Sequence, residues 1–299
     1  MVPVNYYNEI KDELIKNEIN RKVKNYAINK SDLNTYYEVG KLLTLAGKSY
    51  GDGIVKQYAV KLTNDLGRKY DVSTLFKMKK FYLIFSEQKM APVVPQISWS
   101  HYTILLPLKD INEINYYIDI CIKYNLSKRK LREKIKNKEY ERLDDKTKLK
   151  LINKEKTSVT DFIKNPIILK NKNNYELVSE NVLQRIILED IPTFLKELGE
   201  GFTFIDNEYK IKLGNRYNYI DLLLFNYIYN CFVVVELKVT ELKKEHIGQI
   251  EIYMNYIDNN LKKINQDKTI GIIICKQDNQ YVIKYCSDKR IISRVYEAV

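Results

Sequence analysis

Three charged residues stand where a buried strand should be apolar. Asp221 interrupts the run Tyr219-Ile-Asp-Leu-Leu-Leu-Phe225, and Glu236 and Lys238 close the run Cys231-Phe-Val-Val-Val-Glu-Leu-Lys238. Alternate residues of a strand share a face, so Glu236 and Lys238 project the same way. A turn over Asn226 to Asn230 folds the two runs back on each other, which draws the carboxylates of Asp221 and Glu236 together beside the Lys238 ammonium. Two close carboxylates repel, and burying either is costly unless a cation compensates. A magnesium-like ion does so with few carboxylates, water and a phosphate oxygen, and it activates water against a phosphodiester. Lys238 would then position or help deprotonate that water and neutralise the charge of the pentavalent intermediate. The plainer alternative is a structural Glu–Lys pair at a strand end, with Asp221 a turn-adjacent solvent residue. It accounts less well for an acid on the preceding apolar strand and a helix that follows at once.

The elements around these residues define an α/β arrangement with a partly antiparallel sheet. A helix is expected over Ser179 to Leu198, kinked or split by Pro192. Strands follow at Phe202–Ile205, Tyr209–Leu213, Tyr217–Phe225 and Phe232–Leu237, with a turn at Gly214-Asn215. A helix over Glu241 to Leu261 comes next, then strands Thr269–Cys275 and Gln280–Tyr285.

The first half reads as helical. Apolar residues at helical spacing predict helices over Tyr26 to Ala46, Ile54 to Leu66 and Ser73 to Phe85, the last with Ser73 as its N-cap. Three short helices with tight turns and Lys77, Lys79 and Lys80 on the last are compatible with a helix-turn-helix module. An extended break at Ala91-Pro-Val-Val-Pro95 precedes the only tryptophan, and helices resume over Asn112 to Lys123 and from Ser127.

The net charge of +12 is placed unevenly: residues 1–155 carry 30 Lys and Arg against 19 Asp and Glu, whereas the remainder carries 20 against 19. A coding bias toward lysine would load both halves alike, so the excess points to a polyanion-binding N-terminal half. Residues 123–156 are the densest part, with 14 basic and 6 acidic residues, and read either as a solvated helix and linker or as a phosphate-tracking arm. The expected boundary separates a basic helical domain over 1–155, for nucleic-acid binding or for assembly, from a second domain over 156–299.

Composition also excludes function classes. Four cysteines without a CxxC pair argue against a disulfide framework, and two histidines leave little for a zinc site or a Ser-His-Asp triad. Both His101 and His246 read as surface or packing residues. No apolar stretch approaches the ~20 residues of a membrane helix. The opening residues lack a signal-peptide core, so a soluble, cytoplasmic protein without membrane contact is expected. No GxxxxGK[ST] loop is present.

Ile220-Asp221 followed by Glu236-Leu237-Lys238, on a hairpin preceded by a helix, resembles the core of the PD-(D/E)XK nucleases. Gln249 and Tyr253, one turn apart on the next helix, resemble the QxxxY element of the RecB-like branch. Leu198-Gly-Glu-Gly-Phe-Thr-Phe204, Val234-Val-Glu-Leu-Lys238 and Gly248-Gln249 are similar to the YhcG-type family, which joins such a domain to an N-terminal domain of unknown function. Tyr36-Tyr-Glu-Val-Gly40, Tyr50-Gly51 and Ile97-Ser-Trp-Ser-His101 extend the resemblance through the first half.

The resemblance implies an all-helical, helix-turn-helix-like domain followed by a restriction-endonuclease-like αβββαβ domain. It implies Asp221 and Glu236 as metal ligands, with the backbone carbonyl of Leu237 as a third. Lys238 would be the catalytic lysine, and Gln249 and Tyr253 would orient it or contact the nucleic acid backbone. An acid on the first helix completes such sites; Glu189 is the candidate and Glu180 the reserve. Ile220 stands where the nominal motif has proline. The implied activity is Mg²⁺- or Mn²⁺-dependent endonucleolytic cleavage of DNA, in defence against foreign DNA or in DNA processing. A homodimer follows by analogy from symmetric duplex cutting. The competing expectation is a catalytically silent DNA-binding or regulatory protein built on a nuclease core.

Overall fold

The computed structural model describes residues 6–21, 27–51, 53–86, 97–176 and 179–299. The chain divides into two compact units, Met1–Tyr140 and Glu141–Val299.

The first unit is built from helices α1 (Tyr6–Arg21), α2 (Ala27–Tyr50), α3 (Gly53–Leu66), α4 (Val72–Ser86), α5 (Trp99–Leu105), α6 (Ile111–Tyr124) and α7 (Lys128–Lys136). The apolar stripes of α1 to α4 meet in one core through Ile10 and Leu14, Val39 and Leu43, Val55 and Leu62, and Leu75 and Met78. Gly40 lets α2 and α4 approach closely, since a Cβ there would lie 2.2 Å from the Met78 carbonyl oxygen. The cap of α4 differs from expectation: Asp71, rather than Ser73, accepts the Thr74 amide at 2.7 Å. A carboxylate three residues earlier reaches an amide of the first turn that a hydroxyl within that turn cannot. Ser127 does cap α7, accepting from the Lys130 amide at 3.3 Å. The break expected at Ala91 to Pro95 lies outside the described residues.

The second unit contains α8 (Asp145–Ile152), β1 (Ile167–Leu169), α9 (Glu180–Glu189), α10 (Ile191–Leu198), β2 (Phe202–Leu213) and β3 (Arg216–Asn226). It continues with β4 (Cys231–Glu241), α11 (Lys244–Asn260), β5 (Asp267–Gln277), α12 (Gln280–Lys284) and β6 (Ile291–Ala298). The six strands form one sheet in the order β1-β6-β5-β4-β3-β2. Strands β2, β3 and β4 are antiparallel neighbours, whereas β4, β5, β6 and β1 run parallel. One core packs α9 and α10 on the sheet through Leu183, Ile187, Phe194 and Leu198; the other packs α11 through Ile250, Met254 and Ile257.

Several expectations are corrected here. The helix expected over Ser179 to Leu198 is two: Asp190 ends α9 and caps α10 through the Thr193 amide, and Pro192 sits in the first turn of α10, where its missing N–H costs nothing. The strands expected at Phe202–Ile205 and Tyr209–Leu213 are one, with a bulge between Phe204 and Asp206. Gln280–Tyr285 is not a strand: Gln280–Lys284 is a short helix capped by Asn279. The last strand is instead Ile291–Ala298, whose buried Ser293 and Arg294 hide its apolar pattern. The boundary also moves. Residues 141–155 belong with the second unit, because Asp144 pairs with Arg294 at 3.0 Å, Lys150 with Asp161 at 2.8 Å, and Arg142 with Glu197 and the Pro166 carbonyl. Basic composition does not report these bonds.

Candidate active site

The site lies where the sheet forks. Strands β3 and β4 pair from Asn226 opposite Cys231 to Leu222 opposite Val235 and then separate, β3 continuing with β2 and β4 with β5. The next residues in line are Asp221 and Glu236. Separation leaves the Leu237 amide without a strand partner, and the Asp221 carboxylate takes it, accepting from Leu237 N at 2.7 Å. Helix α9 supports the same point from above, where Gln184 Nε2 donates to the Asp221 carbonyl at 3.0 Å.

Glu236 and Lys238 project from the same face of β4. Lys238 Nζ donates to Glu236 Oε1 at 2.9 Å and to Glu180 Oε2 at 3.2 Å. Glu236 is 2% exposed, and its other oxygen, Oε2, is buried with no hydrogen-bond partner. Burial, and then the charge of Asp221, push the Glu236 carboxyl up to about 7 against the opposing pull of Lys238. Burial also raises Asp221, although the Leu237 amide and Lys238 oppose it. For Lys238 burial acts downward, yet Glu236 and Glu180 outweigh it and raise the ammonium above its ordinary value. Lys238 is therefore a fixed positive charge at neutral pH.

Helix α9 decides between the two candidate acids. Glu180 reaches Lys238, whereas Glu189 is held by Asn173 at 2.8 Å, Tyr175 at 2.8 Å and Arg185 at 3.4 Å. Nine residues at about 100° each turn the helix by half a revolution beyond two full turns, so the two glutamates point to opposite sides. Glu189 is thus set aside as a site residue, and the reserve, Glu180, takes its place beside Lys238.

On α11, Gln249 Nε2 donates to the Tyr253 hydroxyl at 3.1 Å. Tyr253 is buried, which raises its phenol pKa, and it lies in the field of Glu236, Asp221 and Lys238. Three participants escaped the sequence reading. Gln184 braces the Asp221 backbone, and Glu208 on β2 adds to the negative field at Asp221. His246 is not a bystander either: its Nδ1 accepts the Lys243 amide at 3.1 Å, and burial and then Lys238 lower its pKa. Only the i, i+3 spacing of His246 and Gln249 on one helix hinted at this neighbourhood. His101, by contrast, bridges Ser98 and the Leu126 carbonyl within the first unit.

The donor set suits a hard divalent cation. Glu236 and Glu180 share one ammonium, Asp221 lies in its field, and a buried carboxylate oxygen of Glu236 is left without a partner. Among the described residues no three His, Cys, Asp or Glu side chains are arranged as a metal cluster. Two carboxylates completed by a main-chain carbonyl, water and a phosphate oxygen is the pattern expected of magnesium rather than zinc.

A forked mixed sheet with Asp221 on one branch and Glu236-Leu237-Lys238 on the other defines a nuclease of the PD-(D/E)XK class. Residues 160–296 match the YhcG PDDEXK nuclease domain and residues 10–142 match the DUF1016 N-terminal domain. The chain belongs to the YhcG-like family that joins these two domains. It is 22% identical over 285 residues to the Escherichia coli (strain K12) protein called "Putative nuclease YhcG", covering 81% of this chain and 76% of that one. Among solved structures it is similar to a repair endonuclease from Pyrococcus abyssi, at 20% identity, a TM-score of 0.29, and coverage of 42% of this chain and 49% of that one. It is also similar to EndoMS in a complex with double-stranded DNA, at 16% identity, a TM-score of 0.29, and coverage of 43% and 48%. These matches span about half of each solved chain.

Proposed function

We propose that the chain is a divalent-metal-dependent endonuclease that hydrolyses DNA phosphodiester bonds. The observation that carries this reading is the half-buried Asp221 next to the buried Glu236 at the sheet fork, with Lys238 bonded to Glu236 and Glu236 Oε2 unsatisfied. Asp221, Glu236 and the Leu237 carbonyl would hold the cation. An extended residue directs its N–H and C=O to one side, so the carbonyl of Leu237 faces the fork with its amide. When bound, such an ion polarises the phosphodiester and lowers the pKa of attacking water.

The residues of the chain supply the rest. Lys238, held charged by two carboxylates, places a preorganised positive charge where negative charge develops on the phosphate. Glu180 keeps the ammonium turned toward the fork. Gln249 and Tyr253 set the α11 wall of the site and present polar groups to the backbone of the substrate. DNA as substrate is supported by the family and by the basic first unit, where α7 exposes Lys128, Arg129, Lys130 and Arg132. A role in defence or DNA processing, and a dimer that cuts both strands of a duplex, rest on the family alone. Among the described residues no helix is long and apolar enough to cross a membrane.

The test is cleavage of plasmid and single-stranded DNA with and without Mn²⁺ or Mg²⁺. Product is expected only with the ion; cleavage that persists in EDTA, or no cleavage under any condition, removes the proposal.

A further inference from the structure

Beyond the fork, β2 and β3 continue as a two-stranded ribbon with which, among the described residues, no third strand pairs. Gly214-Asn215 closes it, Gly214 with φ +60° at the first turn position, which is the geometry that suits the twist of a hairpin. The two faces of this ribbon differ. Ile211 and Ile220 are buried in the core beneath α11, at 1% and 0% exposure. The opposite face carries Lys210 opposite Tyr219 and Lys212 opposite Tyr217, and residues directly opposite in an antiparallel pair project the same way. Tyr217 and Tyr219 are 56% and 51% exposed, and both lysines are exposed with them. Lys210 Nζ lies 3.9 Å from the Tyr217 ring centroid. Two neighbouring exposed aromatics interleaved with cations form the combination that binds stacked bases and their phosphates.

We infer that this face of the β2–β3 ribbon, formed by Lys210, Lys212, Tyr217 and Tyr219, is a stacking platform that receives an unpaired stretch of nucleic acid strand and leads it to the fork two residues beyond Tyr219. The spacing of the two rings selects an unpaired strand over a duplex. Tyrosine rings two residues apart on a strand are about 6.7 Å apart, twice the ~3.4 Å rise of stacked bases, which leaves room for one base at each ring. The lysines opposite them track the phosphates. The location of the platform beside a cutting site rests on the nuclease reading above; the binding it predicts does not. Under that reading the substrates are DNAs with unpaired segments, such as flaps, bubbles or single strands.

The experiment measures the affinity of the full-length chain for a fluorescent 20-nucleotide thymidine oligomer and for a 20-base-pair duplex (each about 20 units long, enough to span such a site), in EDTA across a salt series. Tyr217→Ala/Tyr219→Ala is expected to weaken oligomer binding about ten- to a hundredfold with an unchanged salt slope, whereas Tyr217→Phe/Tyr219→Phe retains it. Lys210→Ala/Lys212→Ala is expected to reduce the slope of log K against log salt by about 1.4. Duplex affinity should move less than twofold in all three. Unchanged oligomer affinity in the alanine pair, or an equal loss on the duplex, overturns the platform. Should the alanine pair misfold, the lysine pair decides, and an unaltered salt slope overturns it alike. Because no ion is present, these outcomes are independent of cleavage; a wild-type chain that binds the oligomer as described but cuts nothing with Mn²⁺ supports the platform and defeats only the nuclease reading.

Discussion

The Asp221 carboxylate stands in for a strand: its Oδ2 accepts the Leu237 amide at 2.7 Å at the point where β3 and β4 part. One side chain thereby closes the backbone ledger of the fork and brings its charge within the field of Glu236. Structure and chemistry are coupled at this residue, and substitutions can separate them.

Asp221→Asn keeps an oxygen able to accept the Leu237 N–H but removes the charge. Folding should be retained, with a melting temperature at or above that of wild type, while cleavage falls at least about a hundredfold, as expected when a charge that stabilises the transition state is lost. Asp221→Ala should also lose on the order of 1–3 kcal/mol of stability, because the buried amide is left unsatisfied. Parallel thermal melts and plasmid cleavage assays check both; an active Asp221→Asn enzyme contradicts the site.

Glu236 makes stability depend on pH in a defined direction. Its carboxyl moves from an ordinary 4.5 to about 7 in the folded chain, so between those values the native state holds a proton that the unfolded chain has released. Stability is therefore fully present below about 4.5 and is lost as pH rises through 7, by on the order of 3 kcal/mol, with Asp221 acting in the same sense. Urea titrations in EDTA from pH 5 to 8 should show this decline in wild type and a flatter profile in Glu236→Gln. Divalent cations should restore stability to wild type above pH 7 and do little for the variant.

The two glutamates of α9 should behave differently. Glu180→Ala releases one of the two carboxylates holding Lys238 and should lower cleavage about tenfold or more with DNA affinity nearly intact. Glu189→Ala cuts only the bonds to Asn173, Tyr175 and Arg185 and should leave cleavage within about twofold of wild type. The reverse order of effects would show that α9 is misassigned.

Arg294 anchors the first residues of the second unit. It is 7% exposed and donates to Ile163 O at 2.9 Å, Ser293 O at 2.8 Å and Asp144 Oδ2 at 3.0 Å. Arg294→Met should cost about 3 kcal/mol, since it leaves carbonyls of this segment without donors. Hydrogen exchange should rise over residues 141–163 ahead of the rest of the sheet; uniform protection there would speak against the anchor.

What the sequence determined by itself is which polar residues stand in apolar strands and most of the elements that carry them. Asp221, Glu236 and Lys238 were legible because a charge inside an apolar strand is expensive and needs a reason, and because strand periodicity places Glu236 and Lys238 on one face whatever surrounds them. Gln249 and Tyr253 were singled out by the resemblance to the QxxxY element, and helical spacing, which is equally local, only places them on one side of their helix. What only the tertiary structure decided is everything set by pairing between distant segments. The strand β6 was hidden because its buried Arg294 is solvated by carbonyls 131 residues away, and no local pattern records such a partner. Residues 141–155 read as basic linker until Asp144, Arg142 and Lys150 met their counter-charges. Glu180 and Glu189 are both acids on one helix, and their types do not distinguish them; the rotation of α9 against the fork does. That rotation is set by which apolar stripe of α9 packs on the sheet, a property of both surfaces together.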